Sequence, residues 1–145
     1  MLRKTLIATL CSSVLLGSAV PAMAATPQAF PSEQGTLNLT PVAAGLDHPW
    51  ALAFLPDRQG ILVTERPGNL RLVGADGKLS APLSGVPKVW AKGQGGLLDV
   101  ALSPDFKQDR MVYLSYAEGG GAGGTAGTAV GRGRLSDDLS GLKDF

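Results

Sequence analysis

An all-β fold is predicted by three observations. Short apolar runs alternate with period two, and turn-forming residues separate them. Glycine is abundant, with 20 in 145 residues, whereas aromatic residues make up only 6%. Beyond the first twenty-four residues no stretch has the three-to-four spacing of an amphipathic helix.

The N-terminus stands apart from that fold. Arg3 and Lys4 precede a mostly apolar run from Leu6 to Leu16, and Ala22-Met23-Ala24 supplies a small-residue cleavage site. Residues 1–24 therefore have the layout of a secretory signal peptide, which implies export across an inner membrane into the periplasm. The apolar run is short of the ~20 residues that span a bilayer, so no transmembrane anchor is expected once the signal is cleaved. Cys11, the only cysteine, lies inside this segment, and Leu10 before it argues against lipidation. Residues 25–36 read as an N-terminal extension and 37–145 as the folded domain.

The first strand starts at Trp50, where Trp50, Leu52 and Phe54 share one face before the turn Pro56-Asp57-Arg58-Gln59-Gly60. Ile61 to Arg66 forms a second strand, which Pro67-Gly68 breaks. Asn69 to Gly74 forms a third, and Asp76-Gly77 is a hairpin signal. Leu98, Val100 and Leu102 share a face in the next run, which Pro104-Asp105 closes, and Met111 to Tyr116 follows as another strand. Thr125 to Arg134, glycine-rich and then alternating, reads as one more.

Aligning the turns exposes a repeat. Ala51-Leu52-Ala53-Phe54-Leu55-Pro56-Asp57 followed by Ile61-Leu62-Val63-Thr64 corresponds to Val100-Ala101-Leu102-Ser103-Pro104-Asp105 followed by Met111-Val112-Tyr113-Leu114-Ser115. The step from Pro56 to Pro104 is about 48 residues, close to the length of a four-stranded propeller blade. A β-sandwich with chance similarity is the competing architecture. A propeller needs about four to eight blades, more than this chain provides. It is thus expected to be the N-terminal part of a longer protein, truncated at Phe145.

Charge and motifs narrow the function. Without Arg3 and Lys4 the formal charge of +1 falls to about −1, and no basic stripe exists to follow phosphates, so nucleic acid is not an expected partner. Gly119-Gly120-Gly121-Ala122-Gly123-Gly124 spells a G-x-G-x-x-G motif. No helix pattern follows it to present a pyrophosphate-binding N-terminus, and composition favours a surface loop. His48, the only histidine, sits in Leu46-Asp47-His48-Pro49-Trp50, where a turn residue fixing strand entry is the plainer reading than a general base. Glu65 with Arg66, and Arg132 with Arg134, read as solvated rim or cross-strand charges, or as channel-lining groups in a propeller.

Gly93-Gln94-Gly95-Gly96 differs from these. It surrounds one amide, with two donors and an acceptor, with residues that allow close approach of a ligand. A long inter-blade glycine loop is the alternative.

Several motifs in order resemble one family. Leu46 to Asp57, Leu62-Val63-Thr64-Glu65-Arg66-Pro67-Gly68 with Leu70-Arg71, Gly93 to Phe106, and Val130-Gly131-Arg132-Gly133-Arg134-Leu135-Ser136 are similar to the soluble PQQ-dependent aldose sugar dehydrogenases, the glucose/sorbosone dehydrogenase family. The resemblance covers roughly Leu37 to Phe145. It implies a six-bladed β-propeller, of which this chain would hold about the first one and a half to two blades.

It further implies pyrroloquinoline quinone (PQQ) and calcium over the axial channel, an aldose sugar oxidised at its anomeric carbon to a lactone, and an external electron acceptor. Gln94 matches the glutamine that lines the family's sugar and cofactor pocket. Ser103 stands where many relatives carry a histidine. The family's catalytic histidine and its calcium ligands match no position in this chain, so no catalytic or metal-binding residue is assigned, and the 145 residues alone are expected to be inactive. A propeller lactonase and a non-enzymatic carbohydrate- or protein-binding propeller are the alternatives.

Overall fold

The computed structural model describes residues 26–120 and 124–145. The signal-peptide segment and the centre of the Gly119–Gly124 motif lie outside the described residues. Among the described residues the chain is all-β, apart from one 3-10 turn at Pro56–Arg58 and one short helix, α1 (Phe106–Asp109).

Three antiparallel sheets account for the strands. β1 (Gln28–Ser32) and β2 (Gly35–Leu39) form a hairpin. β3 (Pro49–Phe54), β4 (Ile61–Glu65) and β5 (Asn69–Val73) form a second sheet. β6 (Leu97–Leu102), β7 (Met111–Gly119), β8 (Ala126–Leu135) and β9 (Leu142–Lys143) form a third, in sequential order. The three-stranded sheet is extended by an irregular return of the chain along β5. Leu79 bridges Val73, Ser80 N–H donates to Leu72 O and Leu83 N–H donates to Leu70 O.

The repeat read from the turns is reproduced in the register of the strands. β3 pairs with β4 through Pro49↔Glu65, then Leu52↔Val63, with a bulge between; β6 pairs with β7 through Leu97↔Tyr116, then Val100↔Leu114, with a bulge between. Each bulge therefore recurs at the same step as the Pro-Asp turns. After each inner strand the first free amide closes the turn in the same way, Leu55 N–H to Gly60 O and Ser103 N–H to Met111 O. Only the turn differs, being longer in the second copy, where α1 occupies it.

The two larger sheets stack, and the core lies between them. Leu55, Leu62, Leu70 and Leu83 from the first meet Leu97, Val100, Val112, Leu114, Leu135 and Leu142 from the second. One of the strand expectations is corrected here. In β6 the bulge turns Leu97 and Val100 both inward and leaves Leu98 only half-buried, because an extra residue breaks the simple alternation of Leu98, Val100 and Leu102. In β3 the core-facing residues are Ala51 and Ala53, while Trp50, Leu52 and Phe54 stay exposed. Of the readings open for Glu65, the cross-strand pair holds and the solvated rim does not: its side chain is fully buried and pairs with Arg71 on β5.

The β1–β2 hairpin, α1 and β9 were not anticipated. The hairpin straddles residues 36 and 37 and is exposed throughout, so no burial alternation marks its strands. β9 has two residues, too few to show a period.

The turn before β9 carries a pH-sensitive carboxylate. Asp138 Oδ1 accepts from the Ser136 hydroxyl (2.6 Å), the Ser140 hydroxyl (2.8 Å) and the Ser140 N–H (3.1 Å). The Ser136 and Ser140 hydroxyls, followed by the Ser140 amide, lower its pKa from 3.8 to about 2. A lowered carboxylate stabilises the fold above its unfolded pKa and loses that contribution as pH falls through the folded value. The urea midpoint of the wild type should therefore decline between pH 3.8 and about 2. In Asp138→Ala that part of the decline should be missing; identical acid limbs for the two proteins would refute the assignment.

Candidate functional site

Gln94 lies on the mouth of an open cleft of about 340 Å³ whose walls include Trp90, Lys92, Gly95, Leu98 and Thr128. Its side chain is exposed. The loop that presents it is a tight turn, with Gly95 N–H donating to Lys92 O at 2.9 Å and Gly93 at φ 57. A β-carbon at φ near +57 is disfavoured in L-residues, which accounts for glycine there.

The other two glycines have a packing cause. A methyl group on Gly95 would collide with the Trp90 carbonyl oxygen, and one on Gly96, at φ 151, with the carbonyl oxygen of Arg66. Only at Gly93 is the neighbouring space open. Gly95 and Gly96 thus seat the loop against the protein's own backbone, with Gln94 exposed beside them.

Thr64, Glu65 and Arg66 hold that base in place. Thr64, fully buried, donates from its hydroxyl to Leu98 O at 2.6 Å and accepts from Ala51 N–H at 3.1 Å, so it ties both sheets together at the β6 bulge. Arg66 grips the loop on both sides of Gln94. Its guanidinium donates to Gly93 O (3.0 Å) and its carbonyl accepts from Leu97 N–H (3.0 Å).

Glu65 secures the chain entering β3. It accepts from Asp47 N–H (2.8 Å), Asn69 Nδ2 (2.9 Å) and Arg71 Nη1 (3.3 Å), while Arg71 Nε donates to Ser80 O (2.9 Å). Every acceptor position on this buried carboxylate is used for structure.

His48 is exposed beside Asp47, with Nδ1 against Asp47 Oδ1, and its backbone carbonyl accepts from Arg66 N–H at 3.0 Å. Its φ of 48 marks it as a turn residue at the entry to β3. Arg132 and Arg134 lie exposed on β8, apart from the cleft. With the Met111 amide and the Ser103 hydroxyl as the larger causes, these two arginines help to lower the pKa of Asp109.

Trp90, Lys92 and Thr128 line the cleft and were not singled out from sequence. Lys92 Nζ sits 4.6 Å from the centre of the Trp90 ring, so a cation and an aromatic face border Gln94. The signal available was the tryptophan immediately ahead of the glycine loop. Thr128 is brought in by the β7–β8 pairing, which sequence spacing does not reveal.

Comparisons with known proteins converge on one family. A family model described as Glucose / Sorbosone dehydrogenase matches residues 46–145. The aldose sugar dehydrogenase YliI of Escherichia coli (strain K12) is 64% identical over 110 residues, which are 76% of this chain and 29% of that protein. The crystal structure of the soluble aldose sugar dehydrogenase from Escherichia coli in its apo-form superposes with a TM-score of 0.66 at 68% identity, over 68% of this chain and 28% of that one. The PQQ-bound form of an aldose sugar dehydrogenase from Streptomyces coelicolor gives 0.55 at 28% identity, over 84% and 33%. The chain spans less than a third of the length of the curated relatives it matches.

Proposed function

The chain belongs to the glucose/sorbosone dehydrogenase family, and from that premise we propose that it supplies one wall of the active site of a periplasmic, PQQ-dependent aldose dehydrogenase. The observation that carries the reading is Gln94, exposed on a backbone-anchored loop that lines a cleft; the resemblance implies that this is the family's pocket glutamine.

The residues present fit a flat anionic quinone on one side only. Lys92 offers a cation, Trp90 an aromatic face and Gln94 both a donor and an acceptor. PQQ, when bound, supplies the acceptor for the hydride that leaves the anomeric carbon of the sugar. Gln94 would orient the sugar's hydroxyls by hydrogen bonding, and its backbone seat would confine the ordering cost at binding to the side chain itself. Calcium belongs to the proposal through the family. Among the described residues no group of three or more His, Cys, Asp or Glu lies together, and no calcium ligand is assigned to this chain.

His48 is not the proton acceptor in this reading, since its turn conformation and exposed position serve strand entry. The base, the calcium ligands and the remaining blades of a six-bladed ring would come from elsewhere in a whole-length enzyme. The leader at 1–24 accounts for the periplasmic location, and electrons would pass to an external acceptor.

Dye reduction with an aldose, PQQ and calcium tests this directly. A protein spanning the relatives' full length should reduce dye only when PQQ is added, and the 145-residue chain should stay at background. Turnover by the 145-residue chain itself, or PQQ-independent turnover by the longer protein, would overturn the proposal.

A further inference from the structure

Arg66 follows β4 at a point where the backbone is held on both sides. Its N–H donates to His48 O at 3.0 Å, its carbonyl accepts from Leu97 N–H at 3.0 Å, and Gly68 N–H closes the turn onto Glu65 O at 2.9 Å. Thr64 and Glu65 ahead of it are fully buried. The side chain thus departs from a fixed base.

From that base it spans the loop that carries Gln94. Cγ of Arg66 would stand 2.6 Å from a methyl group added to Gly96, so the stem rests against that glycine. At the far end Nη1 donates to Gly93 O at 3.0 Å. Gln94 lies between the two contacted glycines in sequence.

The two sides of Gln94 are held by different means. On the C-terminal side the holds are backbone bonds, Ala117 N–H to Gly96 O at 2.9 Å and Leu97 N–H to Arg66 O, which no side-chain change removes. On the N-terminal side Trp90 N–H reaches Ala117 O at 2.7 Å, and then residues 91–94 are all exposed. Among the described residues, that segment receives one hydrogen bond from outside the loop, the one from the Arg66 guanidinium. Gly93 is also the place where the chain turns most easily, with nothing within 4 Å of an added methyl group.

The bonded oxygen matters because of where it sits. Gly93 O belongs to the planar peptide whose other half is the Gln94 nitrogen, so holding that oxygen fixes the plane from which Gln94 departs. A guanidinium suits the task, since it stays protonated and its planar fork is pre-organised for an oxygen acceptor.

We propose that Arg66 is a positioning residue for the sugar, acting through Gln94 by fixing the Gly93–Gln94 peptide. The inference rests on the reading of Gln94 as a pocket residue, and every contact in it joins described residues of this chain.

A double-mutant cycle in a dehydrogenase spanning the relatives' full length tests it. Arg66→Met keeps a stem against Gly96 and deletes the donor. Alone it should lower kcat/KM for the aldose by about three- to tenfold. Added to Gln94→Ala it should cost less than about a further twofold, because the side chain it orients is gone. Amide hydrogen exchange of residues 91–96 should quicken severalfold in Arg66→Met with no sugar present, a direct reading of the loosened loop. Wild-type kcat/KM in Arg66→Met, losses that multiply in the double variant, or unchanged exchange would overturn the positioning role while leaving Gln94 in the site. If Gln94→Ala alone leaves the sugar kinetics unchanged, the active-site reading falls, and this inference falls with it.

Discussion

Glu65→Ala is expected to destabilise the fold by about 3 kcal/mol, the lower end of the cost of breaking a buried ion pair. The carboxylate is fully buried, whereas the Arg71 side chain keeps 17% exposure and its bond to Ser80 O, which softens the loss on that side. Three donors lose their acceptor together: the Arg71 guanidinium, the Asn69 amide and the Asp47 N–H. Asp47 is exposed and Asn69 and Arg71 are half-buried, so water recovers part of the lost bonding and the low end of the range applies. Glu65→Gln keeps the shape and one carbonyl acceptor, so its loss should fall between wild type and alanine. Urea unfolding followed by tryptophan fluorescence measures this, and an alanine variant within about 1 kcal/mol of wild type would contradict the assignment.

Gly96→Ala should cost about 2–4 kcal/mol, as substitutions that force an incompatible backbone into a packed site do. Its φ of 151 is unfavourable for alanine, and the added methyl collides with the Arg66 carbonyl oxygen. That carbonyl also accepts from Leu97 N–H, so relieving the collision breaks the bond that seats the loop. Gly93→Ala provides the contrast. Nothing lies within 4 Å of the added methyl, and only the left-handed φ of 57 opposes it. Its cost should be about 1–2 kcal/mol. If Gly93→Ala proved the more damaging of the two, the packing account of the glycine loop would be wrong.

Those two sites show what local sequence reveals and what it conceals. The Pro56 and Pro104 turns were legible because proline and aspartate preset a turn whatever surrounds them, and the register of β3–β4 and β6–β7 follows the same step. The orientation of Leu98 was not, since a bulge depends on the partner strand and leaves no period in its own. The full burial of Glu65 was not legible for a related reason. Its burial is set by Arg71 and Asn69 on the next strand and by the Asp47 amide on the preceding loop, contacts that charge spacing along one strand does not encode.

The exposed Trp50, Leu52 and Phe54 extend the point. Alternation correctly placed them on one face of β3, but alternation cannot say which face meets the other sheet; the small Ala51 and Ala53 do. Gln94 was legible as unusual because glycines isolate it. The reason for two of those glycines, contact with Trp90 and Arg66 carbonyls, emerges only in three dimensions.

The most direct test of the reading centres on that amide. In a dehydrogenase spanning the relatives' full length, Gln94→Ala should lower kcat/KM for the aldose by about tenfold, the equivalent of one lost hydrogen bond. The unfolding midpoint should stay at the wild-type value, because the side chain is exposed and its loop is held by backbone contacts. Unchanged sugar kinetics in a folded Gln94→Ala enzyme would contradict the placement of this cleft in the active site.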